Sequence, residues 1–179
     1  LFAERARRPW RTVALISNAA VLTPIAPVRA LADEAIQRSL DINVGGGLRL
    51  ISAFVRAFQD HPARKLVANI SSGAARKAYQ GWSLYCAAKA CTEQFVRALA
   101  LEQAGEAHPL LCVNINPGLI DSEMQAEIRR VTAAEFPDIE RFVGYQESGQ
   151  LRAPAAVAAE IRRILAGALE QGATYAVEL

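Results

Sequence analysis

Two hydrophobic rhythms alternate along the chain: short continuous apolar runs, and longer stretches with an apolar residue every three or four positions. Thr12-Val13-Ala14-Leu15-Ile16, after Pro9-Trp10-Arg11, has the length and β-branching of a buried strand. Leu66 to Ile70 is a second such run. Leu110 to Ile115 is a third, stopped by the turn-forming Asn116-Pro117-Gly118. Thr174 to Val177 makes a short last strand after Gly172. Between the strands, Leu40, Val44, Leu48, Ile51, Val55 and Phe58 recur at helical spacing. So do Leu84, Ala88, Cys91, Phe95 and Leu99, within a helix expected from Leu84 to Gln103. A polar helix is expected from Ser122 to about Ala133, then an irregular stretch from Pro137 to Leu151. Pro154 suits the first turn of a last helix whose apolar stripe is Val157, Ile161, Ile164 and Leu165.

Two local features qualify this pattern. Gly45-Gly46-Gly47 falls inside a helix, where each glycine costs about 1 kcal/mol relative to alanine, so the triplet predicts close approach of a neighbouring backbone. Leu1 to Arg8 reads as a solvated helix end rather than a basic leader. Strands alternating with helices imply an α/β fold with a parallel sheet covered on both faces. In open sheets of this kind ligands bind beyond the carboxyl ends of the strands, which singles out Asn18, Ser72 and Pro117-Gly118.

Composition narrows the function classes. A chain of 179 residues and 19.3 kDa suits one domain, and 52% hydrophobic against 21% charged residues argues against general disorder. No apolar run approaches the ~20 residues needed to span a bilayer, so no membrane partner is expected. A net charge of +2, from 20 basic and 18 acidic residues, is too balanced for nucleic acid to be the main partner. The three cysteines, Cys86, Cys91 and Cys112, form no C-x-x-C pair, which fits a reduced, cytoplasmic setting. His61 and His108 stand apart from any carboxylate or cysteine cluster, so no catalytic metal is expected.

Candidate chemistry centres on Tyr85 and Lys89, four residues apart and therefore neighbours on one helix face. An ammonium beside a phenol stabilises the phenolate, lowers the tyrosine pKa from ~10 and lets it pass a proton to a carbonyl oxygen. Ser72 follows a strand, where its hydroxyl either caps the loop or hydrogen-bonds the same carbonyl oxygen. Asn43 sits inside a helix that its propensity disfavours, either as an exposed residue or as one satisfying a backbone carbonyl through water. These four residues supply carbonyl polarisation and a proton, but no electron source.

In this order, Ser17-Asn18-Ala19-Ala20, Asn43, Ser71-Ser72-Gly73, Tyr85-Cys86-Ala87-Ala88-Lys89 and Asn116-Pro117-Gly118-Leu119-Ile120-Asp121-Ser122 resemble the short-chain dehydrogenase/reductase family. Gly81-Trp82-Ser83-Leu84-Tyr85-Cys86, Asp121 to Gln125 and the stretch from Phe136 to Leu151 are similar to its benzil reductase and sepiapterin reductase branch. The resemblance implies an NADPH-dependent carbonyl reductase acting on a ketone or benzil-like 1,2-diketone. Tyr85 would be the general acid. Lys89 would lower its pKa and bind the nicotinamide ribose, and Ser72 would hold the substrate oxygen. Asn43 would anchor a water in a proton relay behind Lys89. Pro117, Gly118, Ile120 and Ser122 would line the nicotinamide and phosphate side of NADPH, with Asn18, Ala19 and Ala20 along its adenosine half. Trp82, Met124 and Phe142 would form an apolar substrate pocket, unless they serve only as core.

The resemblance also implies a Rossmann-like doubly wound sheet. The family's T-G-x3-G-x-G turn has no counterpart upstream of Thr12. Residues 1–179 are therefore expected to be the carboxyl-terminal portion of one such domain, with strands 4 to 7, strands 1 to 3 missing and a lid over about 119–152. The helices from Leu40 and Leu84 would mediate a homodimer or homotetramer. Two other functions compete with this one: a truncated, non-catalytic remnant serving as a binding or oligomerisation module, and a hydrolase using Ser72 with Lys89 or His108.

Overall fold

The computed structural model describes residues 2–177. Four strands, β1 (Thr12–Ser17), β2 (Arg64–Ile70), β3 (Leu110–Asn116) and β4 (Thr174–Ala176), form one sheet in sequential order, with every pairing parallel. The helices are α1 (Phe2–Arg5), α2 (Asp33–Leu40), α3 (Gly47–Phe58), α4 (Ser83–Glu102), α5 (Glu123–Ile128), α6 (Ile139–Glu147) and α7 (Pro154–Ala166). The architecture is the expected Rossmann-like α/β arrangement.

Period-two alternation in the central strands sets the layers. Leu66, Ala68 and Ile70 of β2, with Val113 and Ile115 of β3, pack beneath Val157 and Leu165 of α7. Val67, Leu110 and Cys112 point the other way, into a core with Ile51, Phe54 and Phe58 of α3 and Val96 and Leu99 of α4. At the amino ends of the strands, buried Lys65 donates to the Gln59, His61 and His108 carbonyls, each at 2.7 Å, so its ammonium is hydrogen-bonded three times.

β1 departs from the buried strand expected. It pairs with β2 alone, and its burial alternates: Val13 and Leu15 pack on the α3–α4 core, while Ile16 is 48% exposed on the open face. Half of its apolar pattern is therefore spent on an edge.

The helix expected from Leu40 begins earlier, at Asp33, and runs through Asp41–Gly46 in π-helical form before continuing as α3. One extra residue in a turn rotates the following stripe by about 100°. Leu40 thus falls outside the buried face, while Phe54, absent from the expected stripe, is buried. The glycine triplet does not admit a neighbouring backbone. A Cβ at Gly45 would meet the Arg49 guanidinium, and at Gly47 only the Ser17 hydroxyl. Two of the three glycines lie in the π-helical segment itself.

α4 buries only part of the face expected. Cys91 is exposed, whereas Tyr85, Lys89, Thr92 and Glu93 are buried beside Ala88, Val96 and Leu99. Polar side chains take this face because each finds a hydrogen-bond partner at the strand ends or along the helix, so burial leaves them satisfied. α5 ends at Ile128 rather than Ala133, since Glu135 accepts from the Thr132 amide and hydroxyl and makes a turn there. The stretch from Pro137 to Leu151, expected to be irregular, contains α6, whose Ile139, Phe142 and Tyr145 face the core at helical spacing. The ends of segment 119–152 are pinned together, Asp121 N donating to Arg152 O and Arg152 N to Leu119 O.

Candidate active site

A cavity of about 340 Å³ opens at the carboxyl ends of β2 and β3, beneath α5 and α6. Its position follows from parallel strands whose following loops diverge to opposite faces. Ser72, Trp82, Tyr85, Pro117, Gly118, Ile120, Ser122, Met124 and Phe142, all singled out from the sequence, line it. Lys89 lies behind Tyr85, its Nζ 5.7 Å from the ring centroid. Asn18, Ala19 and Ala20 follow β1 and do not line the cavity.

β2 delivers Ser72. Ser71 N still donates to Ile115 O at 2.7 Å, and Ser72 then leaves the sheet in an extended conformation to cap the 3-10 turn Gly73–Ala75. Its Oγ accepts from Ala74 N at 3.2 Å, so the hydroxyl caps the loop and faces the cavity at once.

α4 delivers Tyr85. The phenol is buried, and burial raises its pKa above 10.0. The Ser72 hydroxyl acts in the opposite direction, and Cys86 adds to the rise. The expected lowering by Lys89 is therefore not what this site shows: desolvation of the phenolate outweighs the favourable neighbours. Lys89 is itself shifted, burial lowering its ammonium from 10.5 to about 8. It donates to Ile70 O at 2.8 Å. An ammonium carries three donors, so Lys89 retains capacity for a ligand hydroxyl.

Asn43 is buried, and its side chain is bound within the protein. Its Oδ1 accepts from Val21 N and its Nδ2 donates to Val21 O, both at 2.8 Å, with a further bond to Ser39 Oγ at 3.2 Å. The carboxamide is spent on the segment following Ala20, and no hydrogen bond among the described residues joins it to Lys89.

One wall of the cavity is aromatic. Trp82 stacks on Phe136, with centroids 4.6 Å apart and planes 9° from parallel. It also meets Tyr79 at 4.9 Å, Phe142 at 5.1 Å and Tyr85 at 5.8 Å. Met124 Sδ lies 3.9 Å from the Tyr85 hydroxyl. Tyr79, Tyr145 and Leu22 also line the site and were not anticipated. Tyr79 stands three residues before Trp82, but Tyr145 shows its direction only once α6 is recognised as a helix.

The hydrolase alternative fails on topology. Ser72 follows the carboxyl end of β2 and His108 precedes the amino end of β3, so in a parallel pair they lie at opposite ends of the sheet. Lys89 donates to Ile70 O, away from a serine-activating role.

A family model for short chain dehydrogenases matches residues 2–133. The chain belongs to that family. Benzil reductase ((S)-benzoin forming) of Bacillus subtilis strain 168 is 36% identical over 166 residues, which is 93% of this chain and 68% of that enzyme. Sepiapterin reductase of Mus musculus is 35% identical over 123 residues, 66% of this chain and 45% of that enzyme. This short-chain dehydrogenase thus spans about two thirds or less of the length of the relatives it resembles. Among solved structures, KRED1-Pglu superposes with a TM-score of 0.79 at 28% identity, covering 90% of this chain and 67% of that one. The benzil and sepiapterin reductase likeness extends the family assignment to that branch, and the chain is a short-chain oxidoreductase. No helix among the described residues is long and apolar enough to cross a membrane, and no group of three or more metal-ligating side chains occurs among them.

Proposed function

We propose that the protein reduces a carbonyl flanked by aromatic groups, a benzil-like 1,2-diketone, with NADPH as the reductant. The observation that carries this reading is the pairing of the Tyr85 phenol and the Ser72 hydroxyl at the edge of an aromatic cavity. Rings such as Trp82 and Phe142 offer faces and edges to a planar aryl group. The benzil reductase of Bacillus subtilis suggests the substrate class.

The residues present fit the nicotinamide end of such a cofactor. Gly118 holds a φ of +73°, which closes the turn after β3 and leaves Pro117, Ile120 and Ser122 along the cavity wall. Lys89 keeps donor capacity beside Tyr85 for ribose hydroxyls. Held there, a reduced nicotinamide would supply the hydride for the carbonyl carbon. Ser72 donates a hydrogen bond to the carbonyl oxygen and orients it. Tyr85 transfers its proton to that oxygen, completing the alcohol, and recovers a proton from solvent. A phenol held above its ordinary pKa stays protonated at neutral pH, as an acid in the reductive direction must. Met124, Trp82 and the α5–α6 segment, the lid 119–152, exclude water from this step.

Residues 1–179 would be the carboxyl-terminal portion of one reductase domain, their strands standing as strands 4 to 7 of the doubly wound order. The unpaired edge of β1 supports that placement. Association as a homodimer or homotetramer would use α3 and α4, where Leu50 and Leu101 are exposed.

Tyr85→Phe in the native gene product tests the reading. It keeps the ring and its contacts with Trp82 and removes only the hydroxyl. NADPH oxidation with benzil should fall about 1000-fold with the unfolding midpoint unchanged. Retained turnover would sink the assignment of Tyr85 as the acid.

A further inference from the structure

Glu93 is a buried and heavily engaged carboxylate, yet nothing in the proposed reaction uses it. It is 2% exposed and sits on α4 eight residues after Tyr85 and four after Lys89. Its Oε1 accepts from Arg76 Nε and Nη2, each at 3.1 Å, from Thr174 Oγ1 at 3.2 Å, and from Arg97 Nη2. The other oxygen, Oε2, accepts from the Ser71 hydroxyl at 2.6 Å. Its backbone carbonyl accepts from Asn114 Nδ2 at 3.3 Å, and Asn114 Oδ1 accepts from Asn69 Nδ2 at 2.8 Å.

Two arginines suffice to neutralise one carboxylate, and both keep substantial exposure, 58% and 40% of their side chains. The oxygen turned away from them is directed at one residue, Ser71. That residue directly follows β2 and still hydrogen-bonds the sheet, and Ser72 is the first to leave it. Tyr85, Lys89 and Glu93 recur every four residues on one face of α4. Each addresses a successive part of the same strand end: the phenol faces the Ser72 hydroxyl, the ammonium holds Ile70 O, and the carboxylate holds Ser71 Oγ.

We propose that Glu93 is a positioning residue for proton transfer: its buried carboxylate, through the Ser71 hydroxyl, fixes the end of β2 against α4 so that Ser72 stays beside Tyr85. This inference rests on the reading of Tyr85 and Ser72 as the reacting pair. A side chain that served only to neutralise Arg76 and Arg97 would have no need of Ser71. The link is charge-assisted, a class of hydrogen bond about twice as strong as a neutral one. A misplacement of Ser72 by a fraction of an ångström weakens its bond to the substrate oxygen and to the phenolate alike.

Ser71→Ala is the decisive variant, because it cuts the link while leaving Glu93 its arginines and Thr174. Glu93→Gln is the second. Leu99→Ala, on the apolar face of α4, destabilises the same helix without touching the site. With the native gene product, benzil reduction by Ser71→Ala and Glu93→Gln should lose about 10-fold in kcat with KM for benzil within about twofold. Leu99→Ala should keep its kcat despite a lower unfolding midpoint. A readout independent of turnover is the tyrosinate absorbance titration, in which Tyr85 is isolated as the difference from Tyr85→Phe. In Ser71→Ala that ionisation should move upward by about half a unit, as the phenolate loses the Ser72 hydrogen bond. An unmoved titration would overturn the proposal, whether or not Tyr85 proves to be the acid. So would an equal loss of kcat in Leu99→Ala. Loss of turnover in Tyr85→Phe with no effect in Ser71→Ala would leave the reading of the site standing and remove Glu93 from it.

Discussion

Burial moves the Tyr85 phenol and the Lys89 ammonium in opposite directions, and both shifts favour the neutral form of the pair. For Lys89 this has a consequence for stability. Its folded-state pKa, about 8, lies below the 10.5 of an unhindered lysine. Between those limits the unfolded chain holds a proton that the folded chain has released, so stability rises with pH across that window. Below about pH 8 both states are protonated and the cost of burying the ammonium is fully present. The span amounts to roughly 3 kcal/mol in the absence of nucleotide. Lys65 is also lowered by burial, but it is common to wild type and a Lys89→Met variant and cancels in their difference. Urea unfolding at pH 8 and pH 10 should show wild type gaining on the variant by a few kcal/mol; parallel curves would refute the assigned shift. The sequence shows the partners Tyr85 and Lys89 through their spacing. It does not show that burial outweighs their mutual attraction, because desolvation depends on the aromatic side chains packed around them.

Elements were legible where one rhythm persisted, and were missed where a local insertion broke it. β2, β3 and α7 emerged with their buried residues because each keeps one period throughout. The π-helical turn at Asp41–Gly46 shifts phase by one residue and so misplaced Leu40, whereas Phe54 shares the face of Ile51 and Phe58 at ordinary helical spacing. α4 was found with Ala88 and Leu99 correctly inward and Cys91 not, since apolar counting ignores Lys89 and Glu93, whose burial depends on strand ends distant in sequence. α6 was obscured by Pro137 and Gly144. The turn entering α4 yields a sharper prediction. Gly81 has a φ of +85°, and a Cβ there would lie 2.3 Å from Glu135 O. Gly81→Ala should therefore cost about 3 kcal/mol or more, by backbone strain and by pushing the Phe136 connector off Trp82. Denaturant unfolding checks it, and a loss under about 1 kcal/mol would show that this contact is not fixed.

At the scale of the molecule, a parallel sheet collects residues far apart in sequence at one end. Ser72, Tyr85 and Gly118 meet there, while His108 lies at the other end, which decides between reductase and hydrolase chemistry. Under the proposed function the aromatic wall would select the carbonyl to be reduced; the Glu93 network ties the end of β2 to α4, which bears Tyr85. The central claim is that the site moves hydride to a carbonyl carbon and a proton to its oxygen. The most direct test is a single turnover of benzil by the native gene product with NADPH carrying two deuterons at the nicotinamide C4. One deuteron should appear on the carbinol carbon of benzoin for each nucleotide oxidised, with the hydroxyl proton drawn from solvent, and Tyr85→Phe should give almost none. Nucleotide oxidation without deuterium in benzoin, or equal transfer by Tyr85→Phe, would contradict it.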